Sequence, residues 1–307
     1  MSNPSNNRRG SGRGSNSRSD NKRRYELIVS VIFLIIAVVS FAVSYFEEAQ
    51  SGDSLPGAVA EARFFDVGQG DAAMFIWDGG VILIDAGTNS SQEVLVEYIN
   101  ELGIKTIDCA VFTHPHEDHI GGADRVLEEF DVKSVLMPDI ETGTMTYAAM
   151  MACIEDEGCP VYEAESGGVY EFGDVTMTVL SPSREYKDLN LGSAVVMIEY
   201  IDVRFLFTGD CEREAELDAL DVMGAKAFDC DVLKVGHHGS YTSTSEELLS
   251  AATPDIAVIS CGQGNDYGHP HRETLSKLKD HGIDIYRTDR EGTVVIKTDG
   301  VTAWHDK

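Results

Sequence analysis

Positive charge is what this chain has least of. It holds 24 lysines and arginines against 52 aspartates and glutamates in 307 residues, a formal net charge of −28. Seven of the basic side chains (Arg8, Arg9, Arg13, Arg18, Lys22, Arg23, Arg24) crowd into residues 1–24 with a single acid, Asp20. Residues 25–307 are therefore left with 17 basic and 51 acidic side chains, a net of −34. That balance excludes a standing basic groove of the kind that grips nucleic-acid backbones, although bound divalent metals would reverse the sign locally. It also fits simple solubility or a salty habitat. Cysteine is sparse too: there are six, and none has the paired spacing of a structural zinc site. Cys109 and Cys230 fall on or beside apolar strands, where a thiol behaves as a small apolar group. Cys153 and Cys159 bracket a short Glu/Asp/Gly stretch that reads as a turn, and a small disulfide clip is expected there. Residues 1–24 have no aliphatic side chain after Met1, so they cannot bury a core and read as a disordered basic tail.

Long apolar runs are also scarce, with one exception. Leu27–Phe46 is twenty residues without a charge. As a helix it spans about 30 Å, the thickness of a bilayer's hydrocarbon core. Residues 25–46 are accordingly expected to form one transmembrane helix. Arginines before it and Glu47, Glu48 and Asp53 after it orient its N-terminus to the cytoplasm and place residues 47–307 outside the cell membrane. A cleaved signal peptide would have a shorter apolar stretch with its small-residue site close behind; Ala58-Val59-Ala60 lies a dozen residues beyond the run. Residues 47–60 read as a linker and 61–307 as one domain.

Within that domain, short apolar strands come first: Ala62–Val67, Ala72–Trp77 and Val81–Ile84. Strands then alternate with helices at Glu93–Leu102, 107–112, Ala123–Phe130 and Val132–Leu136. The second half repeats the plan, from Val175–Leu180 through helices near Glu212–Met223, Ser245–Ala252 and His271–Gly282 to a last strand at Thr293–Lys297. Two β-rich halves with outer helices predict an α/β, four-layer αββα sandwich.

The chemistry is concentrated in Thr113–Gly122, where His114-x-His116-x-Asp118-His119 follows an apolar strand. This spacing can aim two imidazoles at one metal ion and a carboxylate plus an imidazole at a second, the donors of catalytic zinc or manganese sites. Asp210 follows the apolar strand Val203–Phe207 and is the candidate bridge between two ions. His237 and His238 follow the strand Asp231–Val235. If the chain is still extended there, adjacent side chains point to opposite faces and only one of them binds metal. The other would act as a general acid or brace a ligand. His269, after a Gly-rich loop, is a candidate substrate or leaving-group contact, with His271 at a helix start and His281 and His305 on the surface. Asp85 ends another strand and is placed to orient a ligand histidine through its second nitrogen. Asp66 and Gln69 lie in a Gly-rich turn that either rims the site or is a plain hairpin turn.

The set FFDVGQGDAA, ILIDAG, THPHEDHIGG, FTGD, LKVGHHGS and YGHPH, in that order, resembles the metallo-β-lactamase superfamily, and most of all its ComEC competence-protein branch. The resemblance spans roughly residues 61–300. It implies the αββα fold, a site at the sandwich edge, two divalent ions (zinc or manganese) and hydrolysis by a metal-bound hydroxide. By position, it implies His114 and His116 on the first metal, Asp118 and His119 on the second, Asp210 between them, and His237 or His238 completing the set. Asp118 would help orient the water, and Ser240 or His269 would contact the leaving group. Residues 120–209 contain no histidine, whereas superfamily members usually have a further ligand there. Asn190 and Ser193 stand where the ComEC branch has an Asn…Ser motif, so the His114/His116 metal is expected to be the more loosely held. The implied function is a membrane-anchored phosphodiesterase or nuclease acting on extracellular DNA. A single membrane helix implies that any transport would need a separate channel protein. The rivals are a cell-surface phosphoesterase acting on wall polymers, a lactam or lactone hydrolase, and a non-catalytic binding module.

Overall fold

The computed structural model describes residues 60–306. The basic tail, the expected transmembrane helix and the linker up to residue 59 lie outside the described residues. Among the described residues, no helix is long and apolar enough to cross a membrane. The first half runs β1 (Ala60–Phe64), β2 (Ala72–Trp77), β3 (Gly80–Ala86), α1 (Gln92–Glu101), β4 (Thr106–Ile107), β5 (Cys109–Val111), α2 (Glu117–Ile120), α3 (Ala123–Glu129), β6 (Asp131–Val132), β7 (Val135–Met137), α4 (Met145–Glu157) and β8 (Val161–Glu163). The second half continues with β9 (Val169–Phe172), β10 (Val175–Ser181), β11 (Val195–Tyr200), β12 (Val203–Phe207), α5 (Arg213–Met223), β13 (Val232–Lys234), α6 (Glu246–Ala252), β14 (Ile256–Ile259), α7 (Arg272–Asp280), β15 (Asp284–Arg287), α8 (Thr288–Glu291), β16 (Val294–Thr298) and β17 (Ala303–His305).

One sheet has the order β17-β16-β1-β2-β3-β5-β7-β8 and the other β15-β14-β13-β12-β11-β10-β9. Between them lies a core that includes Phe64, Phe75, Phe205 and Phe207, whose rings meet at 5.1 Å (Phe75–Phe205) and 5.7 Å (Phe64–Phe207) between centroids. A second apolar cluster packs α1, α3 and α4 against the first sheet, and a third packs α5, α6 and α7 against the second. This is the four-layer αββα arrangement that the alternation of strand and helix patterns predicts.

Alternating burial along β1 explains its place: Ala60, Ala62 and Phe64 point into the inter-sheet core while Glu61 and Arg63 pair on the other face. β3, β5, β7 and β8 run parallel, as do β12 to β15. Each parallel set delivers its carboxyl ends to one edge, where open α/β sheets bind ligands.

Two features depart from the sequence reading. Residues 153–157 are the last turn of α4, which Gly158 terminates in the left-handed conformation (φ 68°), rather than part of a turn. Cys153 and Cys159 are free thiols, each partly buried against the outer cluster of the first sheet. The disulfide expectation fails because Cys153 belongs to a helix that packs on that sheet. The helix is hard to see in sequence because its apolar residues fall on all sides: Met150 and Ile154 are buried, while Met145 is 86% exposed.

Candidate metal centre

Asp85 is the keystone of the first-half loop. It ends β3 in a left-handed conformation (φ 59°), strain that costs on the order of 1–3 kcal/mol in a non-glycine residue. Its Oδ1 accepts from the Thr113 amide and its Oδ2 from the Thr113 hydroxyl, both at 2.7 Å. Oδ2 also lies 2.7 Å from His119 Nδ1, so His119 is held with its Nε2 facing the site. With the Thr113 proton committed to Asp85, the hydroxyl oxygen is left to accept from His114 Nδ1, 3.2 Å away, which likewise turns His114 Nε2 inward. His114 Nε2 and His116 Nδ1 lie 2.9 Å apart.

Gly209 lets the two halves meet. At φ 50°, it leaves a space in which a Cβ would stand 2.8 Å from Thr113 Cβ. Asp210 follows, and its amide donates to Ser193 Oγ at 3.3 Å. The carboxylate of Asp210 is the hub of the site. Oδ1 is 3.2 Å from His119 Nε2, and Oδ2 is 3.5, 3.7 and 3.9 Å from nitrogens of His237, His238 and His114.

The adjacent histidines do not continue an extended strand. β13 ends at Lys234, and both His237 (φ 50°) and His238 (φ 52°) are left-handed in a tight turn, so strand alternation does not apply to them. His238 is buried. Its Nδ1 faces Asp71 Oδ1 (3.0 Å) and the Ser260 carbonyl (3.1 Å), and its Nε2 faces Asp118 Oδ2 (3.2 Å). His237 stays at the rim, 22% exposed, with Nδ1 3.4 Å from Glu212 Oε1.

Two residues to which the sequence reading gave no role complete this side. Asp71 and Lys234 are buried and paired at 2.6 Å, and Lys234 also donates to the Val235 carbonyl. Burial alone would raise the Asp71 carboxyl, but the Lys234 ammonium and His238 hold it down at about 2. A buried lysine one residue from the end of an apolar strand, preceding Val-Gly-His-His, was the available signal in the sequence. Burial opposes charge on His238, yet Asp210 and Asp71 push it up to about 10. His119 is likewise held well above its usual value, against burial, by Asp210 and Asp85. His114 goes the other way, kept well below by burial and by the neighbouring His119.

Other sequence candidates divide. Gln69, Asn190, His116, Asp118, Tyr267 and His269 line a cleft of about 470 Å³ that opens onto Asp210, His237 and His238. A larger groove of about 730 Å³, between Ile140 and Tyr186, contains no histidine, so size alone does not mark the reactive site. Gln69 accepts from the Gly262 amide at 3.0 Å. His269 sits beside the site, and burial together with His238 takes it down to about 4. Asp66 is not brought in: its Oδ1 accepts from the Gly68 amide and closes a turn. Ser240 is not brought in either, because its hydroxyl is spent on Thr242 within its own loop. His271 stands at the start of α7 and accepts from the Tyr241 amide; His281 pairs with Glu246. His305 is half-buried against Tyr286, 4.1 Å between ring centroids, rather than out on the surface.

The donor set fits a metal ion. Ligand atoms of Asp71, His119, Asp210 and His238 all lie within 4.8 Å of one another, and all four residues are buried. His119 Nε2 and Asp210 Oδ1 face each other at 3.2 Å without forming a well-aligned hydrogen bond, and neither has another partner among the described residues, although buried polar atoms are rarely left so. Neutral imidazole and carboxylate are the ligands divalent metals take. Of the four, Asp71 is the least free to coordinate, since Lys234 and His238 Nδ1 already occupy it.

The family model for the metallo-beta-lactamase superfamily matches residues 66–263. The chain belongs to this superfamily. It is 34% identical over 254 residues to ComE operon protein 3 of Bacillus subtilis, covering 76% of this chain and 32% of that protein. It is 29% identical over 245 residues to competence protein ComA of Neisseria gonorrhoeae, covering 79% and 33% respectively. The chain thus spans about a third of the length of these relatives. Among solved structures, it superposes on the metallo-beta-lactamase fold protein YhfI of Bacillus subtilis with a TM-score of 0.53 at 11% identity, covering 78% of this chain and all of that one. The Igni18 metallo hydrolase of Ignicoccus hospitalis gives 0.50 at 18% identity, covering 77% and 98%. At such identities these structures support the fold alone.

Proposed function

We propose that this chain is a metal-dependent phosphodiesterase of nuclease type, held at the outer face of the cell membrane by residues 25–46. The carrying observation is the buried pair His119 Nε2 and Asp210 Oδ1, which face each other at 3.2 Å without a well-aligned hydrogen bond, with Asp210 at the floor of an open cleft. His119, Asp210 and His238 would hold one divalent ion, and His114 and His116 would hold a second with Asp210 between. Such ions, when bound, supply Lewis acidity and lower the pKa of water toward neutrality.

The remaining roles belong to the chain's own groups. Asp118, whose carboxyl is held well below its usual value by His238 and His119 despite burial, is anionic and 3.2 Å from His238 Nε2. As an anion it accepts a hydrogen bond and orients the attacking water; a carboxyl held this low is a positioning group rather than a proton acceptor. Asn190, whose Oδ1 is buried without a partner among the described residues, faces the cleft where the superfamily's further histidine is lacking. Likeness to competence proteins supports a nucleic-acid substrate; the −34 charge argues that the metals, rather than basic side chains, meet the phosphate.

The full chain, solubilised in detergent and loaded with Mn²⁺ or Zn²⁺, is expected to cleave single-stranded DNA and bis-p-nitrophenyl phosphate. Cleavage of choline-phosphate esters but not DNA would select a wall-polymer enzyme instead. Inertness toward every ester with both metals bound would favour a binding module.

A further inference from the structure

The cleft presents a difficulty for any phosphate-bearing chain. No lysine or arginine lines it among the described residues, while Glu117 and Asp118 do. Metals at the floor can hold one reacting phosphate, but the flanking nucleotides find no cation to pair with. What the wall offers instead is a run of rings. Tyr267 and His269 are stacked, 5.6 Å between centroids and 22° between planes. His269 meets His237 edge-on at 5.6 Å, so the run begins at the metal cluster itself. On its other side, His269 meets His271 at 4.7 Å, and His271 meets Tyr241 at 5.0 Å. Tyr267 is 67% exposed at the wall of the cleft, and Tyr241, farther along the run and outside the cleft lining, is 64% exposed. An exposed tyrosine alone would need no explanation; Tyr267 differs in lining the cleft and stacking on a ring that reaches the metal cluster.

We propose that the Tyr267–His269 face is a stacking subsite for an unpaired nucleobase next to the scissile phosphate, which selects single-stranded nucleic acid. This inference rests on the phosphodiesterase reading and names its substrate class. Stacking on His269 holds the Tyr267 ring from one side, and Tyr267 is still 67% exposed, so a flat ring face is left for another flat π system. A quaternary ammonium group is held by rings set at steep angles around it, and Tyr267 and His269 do not offer that. Base–aromatic stacking contributes about 1–3 kcal/mol per base and needs no basic groove. It also requires the base to be out of a duplex. A protein this acidic would then bind a strand through metal and rings, and its affinity would depend only weakly on salt, because few counterions are released.

The test compares a short oligothymidylate, an oligouridylate and an abasic deoxyribose-phosphate strand on the full chain loaded with Mn²⁺. Binding is read by fluorescence anisotropy across a salt series, and cleavage is read separately. Roughly tenfold tighter binding of the base-bearing strands than of the abasic one is expected. Tyr267→Ala should bring that ratio toward one, and Tyr267→Phe should keep it. Equal binding of base-bearing and abasic strands, or a ratio untouched by Tyr267→Ala, would overturn the subsite even if all strands were cut. Competition by choline phosphate that depends on Tyr267 would overturn it in favour of an ammonium site. A Tyr267-dependent base preference without any cleavage would support the subsite while removing the hydrolase reading beneath it. Equal use of the thymidine and uridine strands would support a subsite that reads the base face and not the sugar.

Discussion

His119 and His238 are buried, and each sets its outer nitrogen against a carboxylate, Asp85 or Asp71. His114 leans instead on the Thr113 hydroxyl, and the one hydrogen-bond partner of the His116 ring among the described residues is His114 itself. The two sides also differ in charge. Carboxylates hold protons on His119 and His238, whereas burial strips them from His114. One side therefore keeps its shape through charge-assisted hydrogen bonds that exist without an ion, while on the other the neutral His114 ring faces His116. The side lacking the superfamily's further histidine is the side with the thinner support.

The largest test of that difference is to remove the group both sides share. Asp210→Ala should lower kcat/KM on the order of 10³-fold, with metal content falling at both positions by elemental analysis. Loss of only one equivalent would show that Asp210 does not bridge.

Next comes the support behind the stronger side. Lys234→Met removes one of the two cations beside the buried Asp71 carboxylate, leaving it to His238 alone, and should cost up to about 3–5 kcal/mol in urea unfolding. Asp85→Asn, which weakens the brace behind His119, should reduce affinity for the tighter ion roughly 10–100-fold. If Asp85→Asn instead weakened only the second, looser step seen by calorimetry, the assignment of the tight side would be wrong.

Protonation gives a subtler contrast. A raised pKa means His119 and His238 are protonated near neutrality without metal and must lose those protons to coordinate. Affinity for the tight ion should therefore rise with pH across the range below about 10, and binding should release protons into the buffer. His114 is already neutral, so the second ion should release fewer. Calorimetry in buffers of differing ionisation enthalpy reads both steps, and equal proton release would collapse the comparison. The smallest effect belongs to His281→Ala, away from both sides: its pair with the largely exposed Glu246 should be worth under about 1 kcal/mol, with metal binding unchanged.

Much of the fold was legible because periodicity is local. β2 and β12 have the bounds their apolar runs announce, and α5 and α6 begin within a residue of their expected starts. Where the local signal was weak, the reading failed: α4 has apolar residues all round, and β8, β9 and β17 are short edge strands with little alternation. In the site, motif order pointed to His114, His116, Asp118, His119 and Asp210 because each follows an apolar strand. The pairing of Asp71 with Lys234 was invisible, since 163 positions separate them and nothing local links their charges.

The chain by itself announced the superfamily through its ordered motifs, and most strands and the residue types able to take a metal through periodicity and spacing. Tertiary structure alone decided how those residues are used. Only the closing of two sheets onto one edge puts Asp71 and Lys234 behind His238, turns His237 to the rim, spends Ser240 on its own loop and lays Tyr267 against His269. The first of these joins distant segments and the others depend on how each loop folds, and their energies rest on burial and geometry that no stretch of sequence carries.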